Sequence, residues 1–255
     1  MNKSQLKSIL TEAANNPQAI HGIFNWCNRW CERCNQTEYC TLYKTCTHLP
    51  SDGPEDFLKS LSVIFETTMD MLKEYSEKRG IDFESLKKSD FDCEYNQKKY
   101  LVRNDAGVSL AKKYRKQVEH WLDSLKNKDS LGVEIRLQDE MLSDCMEVIQ
   151  WYQYLLEVKF ARALMSQKNE EEEQLDPYDS LGNAKLLLVS IERNIGAWGY
   201  IYQKFKDDED EILDILVCLQ SLHKKIEQMF PEAQAFIRPG LDENTDIFEN
   251  KITIK

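Results

Sequence analysis

The sequence predicts an all-α protein, an up-and-down bundle of four or five long helices with an N-terminal cysteine-rich metal-binding segment. Three observations predict this class. Apolar residues recur every three or four positions over five long stretches. No convincing strand pattern precedes residue 241. Four cysteines lie close together near the N-terminus. Long amphipathic helices bury their apolar stripes most simply by packing side by side.

The first fifty residues predict one short helix followed by the cysteine segment. Residues 1–18 place Leu6, Ile9 and Leu10 on one side of an amphipathic helix that ends before Pro17. The cysteine segment follows, and we expect short helical turns there. Residues 49–54, Leu-Pro-Ser-Asp-Gly-Pro, then break the chain.

Five long helices are predicted after this break, approximately over 55–78, 105–126, 130–167, 182–205 and 212–229. The first carries the apolar positions Phe57, Leu61, Ile64, Phe65, Thr68, Met69 and Leu72. Residues 81–104 are less regular, and the acidic run 169–174 predicts a solvated loop. Gly196 and Gly199, inside the fourth helix, predict a close approach to a neighbouring helix. The predicted domains are 1–50, the bundle 51–240 and an irregular tail 241–255.

Composition and charge restrict the function. The chain has 255 residues, of which 42% are hydrophobic and 30% charged, as in ordinary soluble proteins. Its net charge is −11, although residues 1–50 carry +2. Phosphate contacts need clustered Lys and Arg, so a general nucleic-acid surface is not expected. No apolar run reaches the length of a membrane span, and the N-terminus lacks the apolar region of a signal peptide. We therefore expect a cytoplasmic protein.

The cysteine segment is the main candidate for a functional site. Cys27, Cys31, Cys34 and Cys40 follow one another at spacings x3, x2 and x5, with aromatic residues between them. A disulfide framework is disfavoured, because it belongs to oxidising compartments and small secreted domains. Zinc and an iron–sulfur cluster both remain open, since thiolates bind both. Cys31 and Cys34 form the x2 pair that is usual in zinc sites, but no second x2 pair follows.

Two parts of this segment are similar to known iron–sulfur motifs. The stretch from Cys31 to Cys40 resembles the C-x2-C-x5-C close of the iron–sulfur exonucleases of the RecB and CRISPR-adaptation type. The resemblance covers about ten residues and implies a [4Fe–4S] cluster. It implies no nuclease activity, because no nuclease core pattern accompanies it. The opening C-x3-C-x2-C also looks like the motif of radical SAM enzymes, but that family needs a β/α barrel, which the sequence does not predict.

The whole string is also similar to one in bacterial all-helical proteins with an N-terminal C-x3-C-x2-C-x5-C motif, a resemblance that implies no activity. Further candidates flank the quartet. His21 is a candidate for a further metal ligand or for a hydrogen-bond donor to one of the ligands, whereas Cys46 and His48 are expected outside the ligand set.

A second possible site is a carboxylate metal centre in the bundle. Ferritin-like bundles use Glu-x-x-His pairs, and none exists in this sequence. The carboxylates nearest the apolar stripes are Glu66, Asp144, Glu147 and Glu192, with Lys159 or Arg162 as possible partners. Because unpaired charges are rarely buried, we expect these carboxylates to reach solvent.

The sequence therefore predicts a metal-binding helical protein in which four cysteines hold a [4Fe–4S] cluster. Its role would be electron transfer, redox sensing or structural clamping, with a protein as its partner. A structural zinc site that docks the helices onto a protein partner is the alternative. A carboxylate-metal enzyme in the bundle is a weaker alternative.

Overall fold

The computed structural model describes residues 3–20, 22–47, 54–83, 91–127, 139–173 and 178–242, without the side chains of 54–57, 91–94, 172 and 173. His21, His48 and almost all of the predicted tail lie outside the described residues. The regular structure within these ranges is entirely helical, as predicted. No helix in the described ranges combines the length and apolar character that crossing a membrane requires.

Eight α-helices lie in the described part of the chain. They are α1 (Lys3–Ala14), α2 (Thr41–Thr47), α3 (Pro54–Lys78), α4 (Phe91–Arg103), α5 (Ala106–Asn127), α6 (Glu140–Glu173), α7 (Tyr178–Lys204) and α8 (Glu209–Met229). Short 3₁₀ turns cover Ile23–Asn25, Cys31–Arg33, Thr37–Tyr39 and Lys206–Asp208.

The helix bounds correct two predictions. Residues 91–103 form the regular helix α4, where an irregular stretch was predicted. The acidic run that was predicted as a solvated loop continues α6 to Glu173. Glu170, inside this run, is buried and accepts a hydrogen bond from the backbone N–H of Ser180. This carboxylate therefore satisfies an N–H group in the first turn of α7, where backbone N–H groups have no partner within their own helix.

The chain divides into two compact units. One comprises residues 1–24, 29–95 and 239–255, and the other comprises 25–28 and 96–238. The predicted first long helix, α3, belongs to the first unit, and the remaining four predicted helices belong to the second.

The second unit contains an up-and-down bundle of α5, α6, α7 and α8. Each helix packs against its neighbours in the cyclic order α5, α6, α7, α8. Residues at the start of one helix contact residues at the end of the next, as in the pairs Asp139–Lys204, Trp121–Asp208 and Lys185–Gln234. Such pairs require antiparallel neighbours, which is the predicted topology.

The bundle core contains a small polar network among large aromatic rings. Trp121 packs edge-on against Trp198, with ring centroids 5.0 Å apart. Trp198 donates its indole N–H to the hydroxyl of Tyr114, which donates to Asn194 Oδ1 at 2.7 Å. Burial of polar groups is tolerated here because each of these groups has a partner.

In the first unit, α1 packs against the acidic side of α3. Lys3 pairs with Glu66 at 3.0 Å, and Lys7 pairs with Glu74 at 2.5 Å. Thr67, on the same side, is consequently buried, with 2% of its surface exposed. The apolar positions predicted to face a core lie elsewhere on the helix, and Phe65 remains 66% exposed. The periodicity of the sequence correctly predicted a helix here, but α1 packs against a face of α3 other than the one that carries these apolar residues.

Candidate metal centre

Cys31, Cys34 and Cys40 are positioned by two consecutive tight turns. Cys31 opens the first 3₁₀ turn, and the N–H of Cys34 closes it by donating to the carbonyl of Cys31 at 3.1 Å. The N–H of Cys40 closes the second turn on the carbonyl of Thr37 at 3.3 Å. The Cys40 carbonyl then accepts from the N–H of Lys44, in the first turn of α2. Short turns are therefore observed where the sequence predicted them.

The sulfur atoms of Cys34 and Cys40 accept backbone hydrogen bonds. The N–H of Gln36 donates to Cys34 Sγ at 3.4 Å, and the N–H of Tyr43 donates to Cys40 Sγ at 3.5 Å. A backbone N–H group directed at a sulfur atom interacts favourably with negative charge on that atom. In iron–sulfur proteins, such hydrogen bonds also tune the reduction potential of the cluster.

Cys27 lies in a short segment that side chains of the bundle hold on both sides. Lys159 Nζ donates to the carbonyl of Asn25 at 2.6 Å, and Trp151 Nε1 donates to the carbonyl of Asn28 at 2.9 Å. Arg238 donates to the carbonyl of Trp26 at 3.3 Å. The carbonyls of Asn25, Trp26 and Asn28 therefore each accept a hydrogen bond from a side chain of the second unit.

The side chains of the same segment are also anchored. Trp26 is buried and packs edge-on against Tyr178, with ring centroids 5.3 Å apart. The side-chain amide of Asn28 donates to the Tyr152 hydroxyl at 2.8 Å. That hydroxyl also accepts from Arg193 at 3.0 Å. The backbone around Cys27 is thus fixed by packing as well as by hydrogen bonds.

Two arginines near the cysteines stack on aromatic rings. The guanidinium of Arg33 lies 4.3 Å from the ring centroid of Trp30, and that of Arg29 lies 5.6 Å from that of Phe24. Arg29 has a φ of 60°, which non-glycine residues rarely adopt. Each of these contacts holds a guanidinium against an aromatic ring of the stretch that contains the first three cysteines.

The four predicted ligands are half-buried thiols, and Cys46 is exposed. None of the seven cysteines with described side chains forms a disulfide. Cys27 belongs to the second unit, whereas Cys31, Cys34 and Cys40 belong to the first. Across the described ranges, no three side chains of His, Cys, Asp or Glu lie close enough together to hold a metal ion.

The carboxylates considered for a second site are on the surface. Glu66, Asp144, Glu147 and Glu192 are all exposed. Lys159 and Arg162, their possible partners, instead bind Asn25, Asn183 and Asp179. Of the described histidines, His120 contacts Glu211 at 2.9 Å and His223 contacts Glu227 at 3.3 Å. The expectation that these carboxylates reach solvent is met.

Local sequence patterns do not identify the residues that anchor the segment around Cys27. Lys159, Trp151 and Arg238 lie more than 120 residues from the carbonyls that they bind. In the sequence, they look like ordinary helix and tail residues.

Comparison of the chain with protein-family models, with curated proteins and with solved structures gave no match.

Proposed function

We propose that Cys27, Cys31, Cys34 and Cys40 bind a [4Fe–4S] cluster, and that the protein has a redox, sensing or structural role. The observation that carries this proposal is the pair of backbone N–H groups that donate to Cys34 Sγ and Cys40 Sγ. These donors suit sulfur that carries negative charge, which is the form in which cysteine binds metals.

The surroundings of the four residues support the same proposal. The thiols are half-buried, so they are shielded from solvent yet not sealed in the core. Aromatic rings and two arginines flank them, and the arginines would offset the charge that four thiolates bring to a cluster. The cytoplasm is the proposed location, because thiols stay reduced there. A protein is the proposed partner.

Elemental analysis of protein purified without oxygen tests the proposal directly. We expect brown protein with about four iron and four sulfide per chain and broad absorption near about 400 nm, as thiolate-ligated clusters show. Colourless protein with about one zinc per chain would replace the cluster by the structural zinc site. Protein that holds neither metal, even after anaerobic incubation with iron and sulfide, would overturn the proposal.

Serine substitutions identify the ligands. Cys34→Ser and Cys40→Ser should each lose most of the metal, because serine is a poor ligand for iron or zinc in a thiolate site. Cys46→Ser is the matched control, since Cys46 is an exposed thiol of the same segment outside the proposed ligand set. Full metal content in both Cys34→Ser and Cys40→Ser would contradict the assignment.

A further inference from the structure

One face of α3 carries large apolar side chains that remain exposed. Leu58 and Phe65 expose 65% and 66% of their surfaces, and Met69, Leu72 and Tyr75 expose 40%, 48% and 52%. Large side chains of this kind present roughly 150–250 Å² each when fully exposed, so these five together expose about 400–700 Å². The largest apolar patch of a typical monomer is of this size, and such a patch is often an interaction site.

The apolar residues of this face recur with the spacing of a coiled coil. The intervals between them alternate between three and four residues over six positions, which we call the α3 seam: Leu58, Leu61, Phe65, Thr68, Leu72 and Tyr75. This alternation keeps one stripe of a helix turned towards a neighbouring helix along the whole contact. The partner that fits the α3 seam is therefore another long helix.

A different side of α3 is already occupied by α1. Lys3 and Lys7 of α1 pair with Glu66 and Glu74 on that side. Thr67, between them, is buried. The contact with α1 therefore uses polar residues of α3 and leaves the α3 seam exposed.

The charges around the α3 seam favour a second copy of this chain as its partner. In coiled coils, charges at the positions that flank the apolar stripe select one partner and exclude others. Between Leu58 and Tyr75 these flanking positions are all uncharged, namely Ser62, Ile64, Met69 and Met71. A symmetric pair of α3 helices would consequently bring no like charges together along its apolar contact. Beyond the C-terminal end of the α3 seam, Arg79 stacks on Tyr75, with its guanidinium 4.6 Å from the ring centroid.

The exposed area corresponds to a weak dimer. Two paired seams would remove about 800–1,400 Å² from solvent, a range that includes the lower limit for specific protein interfaces. We propose that the α3 seam pairs with the α3 seam of a second copy of the chain. This proposal does not depend on the metal centre.

An interface of this size predicts a dissociation constant on the order of tens of micromolar. At about 1 μM the chain is then monomeric, because dimerisation follows mass action. A truncation in the α3 seam therefore weakens association and has little effect on the stability of the monomer.

Sedimentation equilibrium of the full-length chain tests the proposal, under reducing conditions that exclude disulfide-linked dimers. Wild-type protein should change from monomer to dimer between about 1 and 200 μM. Phe65→Glu should weaken the dimer by at least about 10-fold, because each copy would bury a carboxylate against apolar residues. Thr68→Leu should strengthen it by roughly 10-fold, because leucine adds apolar surface at the one polar position of the α3 seam. A general loss of stability does not produce these two opposite effects.

Val217→Glu is the matched control. Val217 of α8 is 62% exposed, so this variant adds the same charge at a similarly exposed apolar position outside the α3 seam. It should leave the dissociation constant unchanged. Raising the salt concentration from about 0.05 to 0.5 M should not weaken the wild-type dimer, since the contact is apolar and salt screens the repulsion between two chains of net charge −11.

Four results would overturn the proposal. A chain that stays monomeric up to about 200 μM would leave the α3 seam to a different partner. A dimer that neither Phe65→Glu nor Thr68→Leu changes would use another surface. Equal weakening by Val217→Glu would show an effect of charge alone, and a dimer that dissociates in high salt would be held by polar contacts.

Discussion

The six-membered ring of Trp26 lies against Gly182 of α7, so closely that a β-carbon at position 182 would sit 2.9 Å from Trp26 Cε3. Glycine is the residue that allows this approach, because any side chain there would displace the indole. Trp26, the residue before Cys27, therefore packs against α7 through a contact between residues that are 156 positions apart in the chain.

Gly182→Ala should destabilise the protein. Alanine favours a helix over glycine by about 1 kcal/mol, but overpacking a buried ring costs about 1–3 kcal/mol, so the loss should exceed the gain. Urea unfolding followed by circular dichroism measures the difference. Gly196→Ala is the control in the same helix, where a β-carbon meets nothing within 4 Å. It should stabilise by about 0.5–1 kcal/mol, and a loss there equal to that of Gly182→Ala would contradict the argument.

Tyr114→Phe should destabilise the bundle by about 1–3 kcal/mol, since it removes the partner of two buried groups, Trp198 Nε1 and Asn194 Oδ1. Urea unfolding measures the loss. Tyr154→Phe, at a hydroxyl on the exposed surface, should change stability by less than about 0.5 kcal/mol.

Burial raises the pKa of Tyr114 well above its usual value, so its ultraviolet signal should be missing from an alkaline titration of the folded protein. Early ionisation of Tyr114 would show that it is accessible.

Leu6→Ala should destabilise the protein more than Phe65→Ala does, although phenylalanine is the larger side chain. Leu6 of α1 is fully buried, and its truncation should cost about 2–5 kcal/mol of the first unit's stability. Phe65 of α3 is 66% exposed, and its truncation should cost less than about 0.5 kcal/mol. Hydrogen exchange of the α1 and α3 amides measures both. A large loss from Phe65→Ala would mean that its face is covered.

Asp139 should give the bundle a dependence on acid pH. Hydrogen bonds from Lys204 and Tyr200 lower the pKa of this carboxyl from 3.8 to about 2. A pKa that is lower in the folded state stabilises the protein above the unfolded value, and this contribution is lost as the pH falls from about 3.8 towards 2. Two-dimensional NMR of the carboxyl carbon should show a midpoint near 2.

Asp139→Asn is the companion test for this titration. Asparagine can still accept hydrogen bonds from the N–H groups of Met141 and Leu142. The substitution therefore preserves the cap at the N-terminus of α6 and removes only the charge. The difference in unfolding free energy between wild type and variant should shrink as the pH falls from 5 to 2. A difference that does not change with pH would show that the pairing with Lys204 contributes nothing.

Some features follow from sequence alone because their cause is local. A 3.6-residue repeat of apolar side chains fixes where helices form, and all five long helices occur near their predicted positions. The spacing of the cysteines likewise shows that four of them lie within one stretch of fourteen residues. The turns at Cys31–Arg33 and Thr37–Tyr39 lie where short turns were predicted.

Other features were decided by the tertiary structure. Gly196 and Gly199 were predicted to allow a close helix approach, but a β-carbon at either meets nothing within 4 Å, and the close contact with a Trp is at Gly182. The helical pattern predicted neither which face of α3 packs against α1 nor which side chains donate to the carbonyls around Cys27. The physical reason is that periodicity records which residues share a face, whereas the partner of that face, or of a carbonyl, depends on elements brought together only by folding.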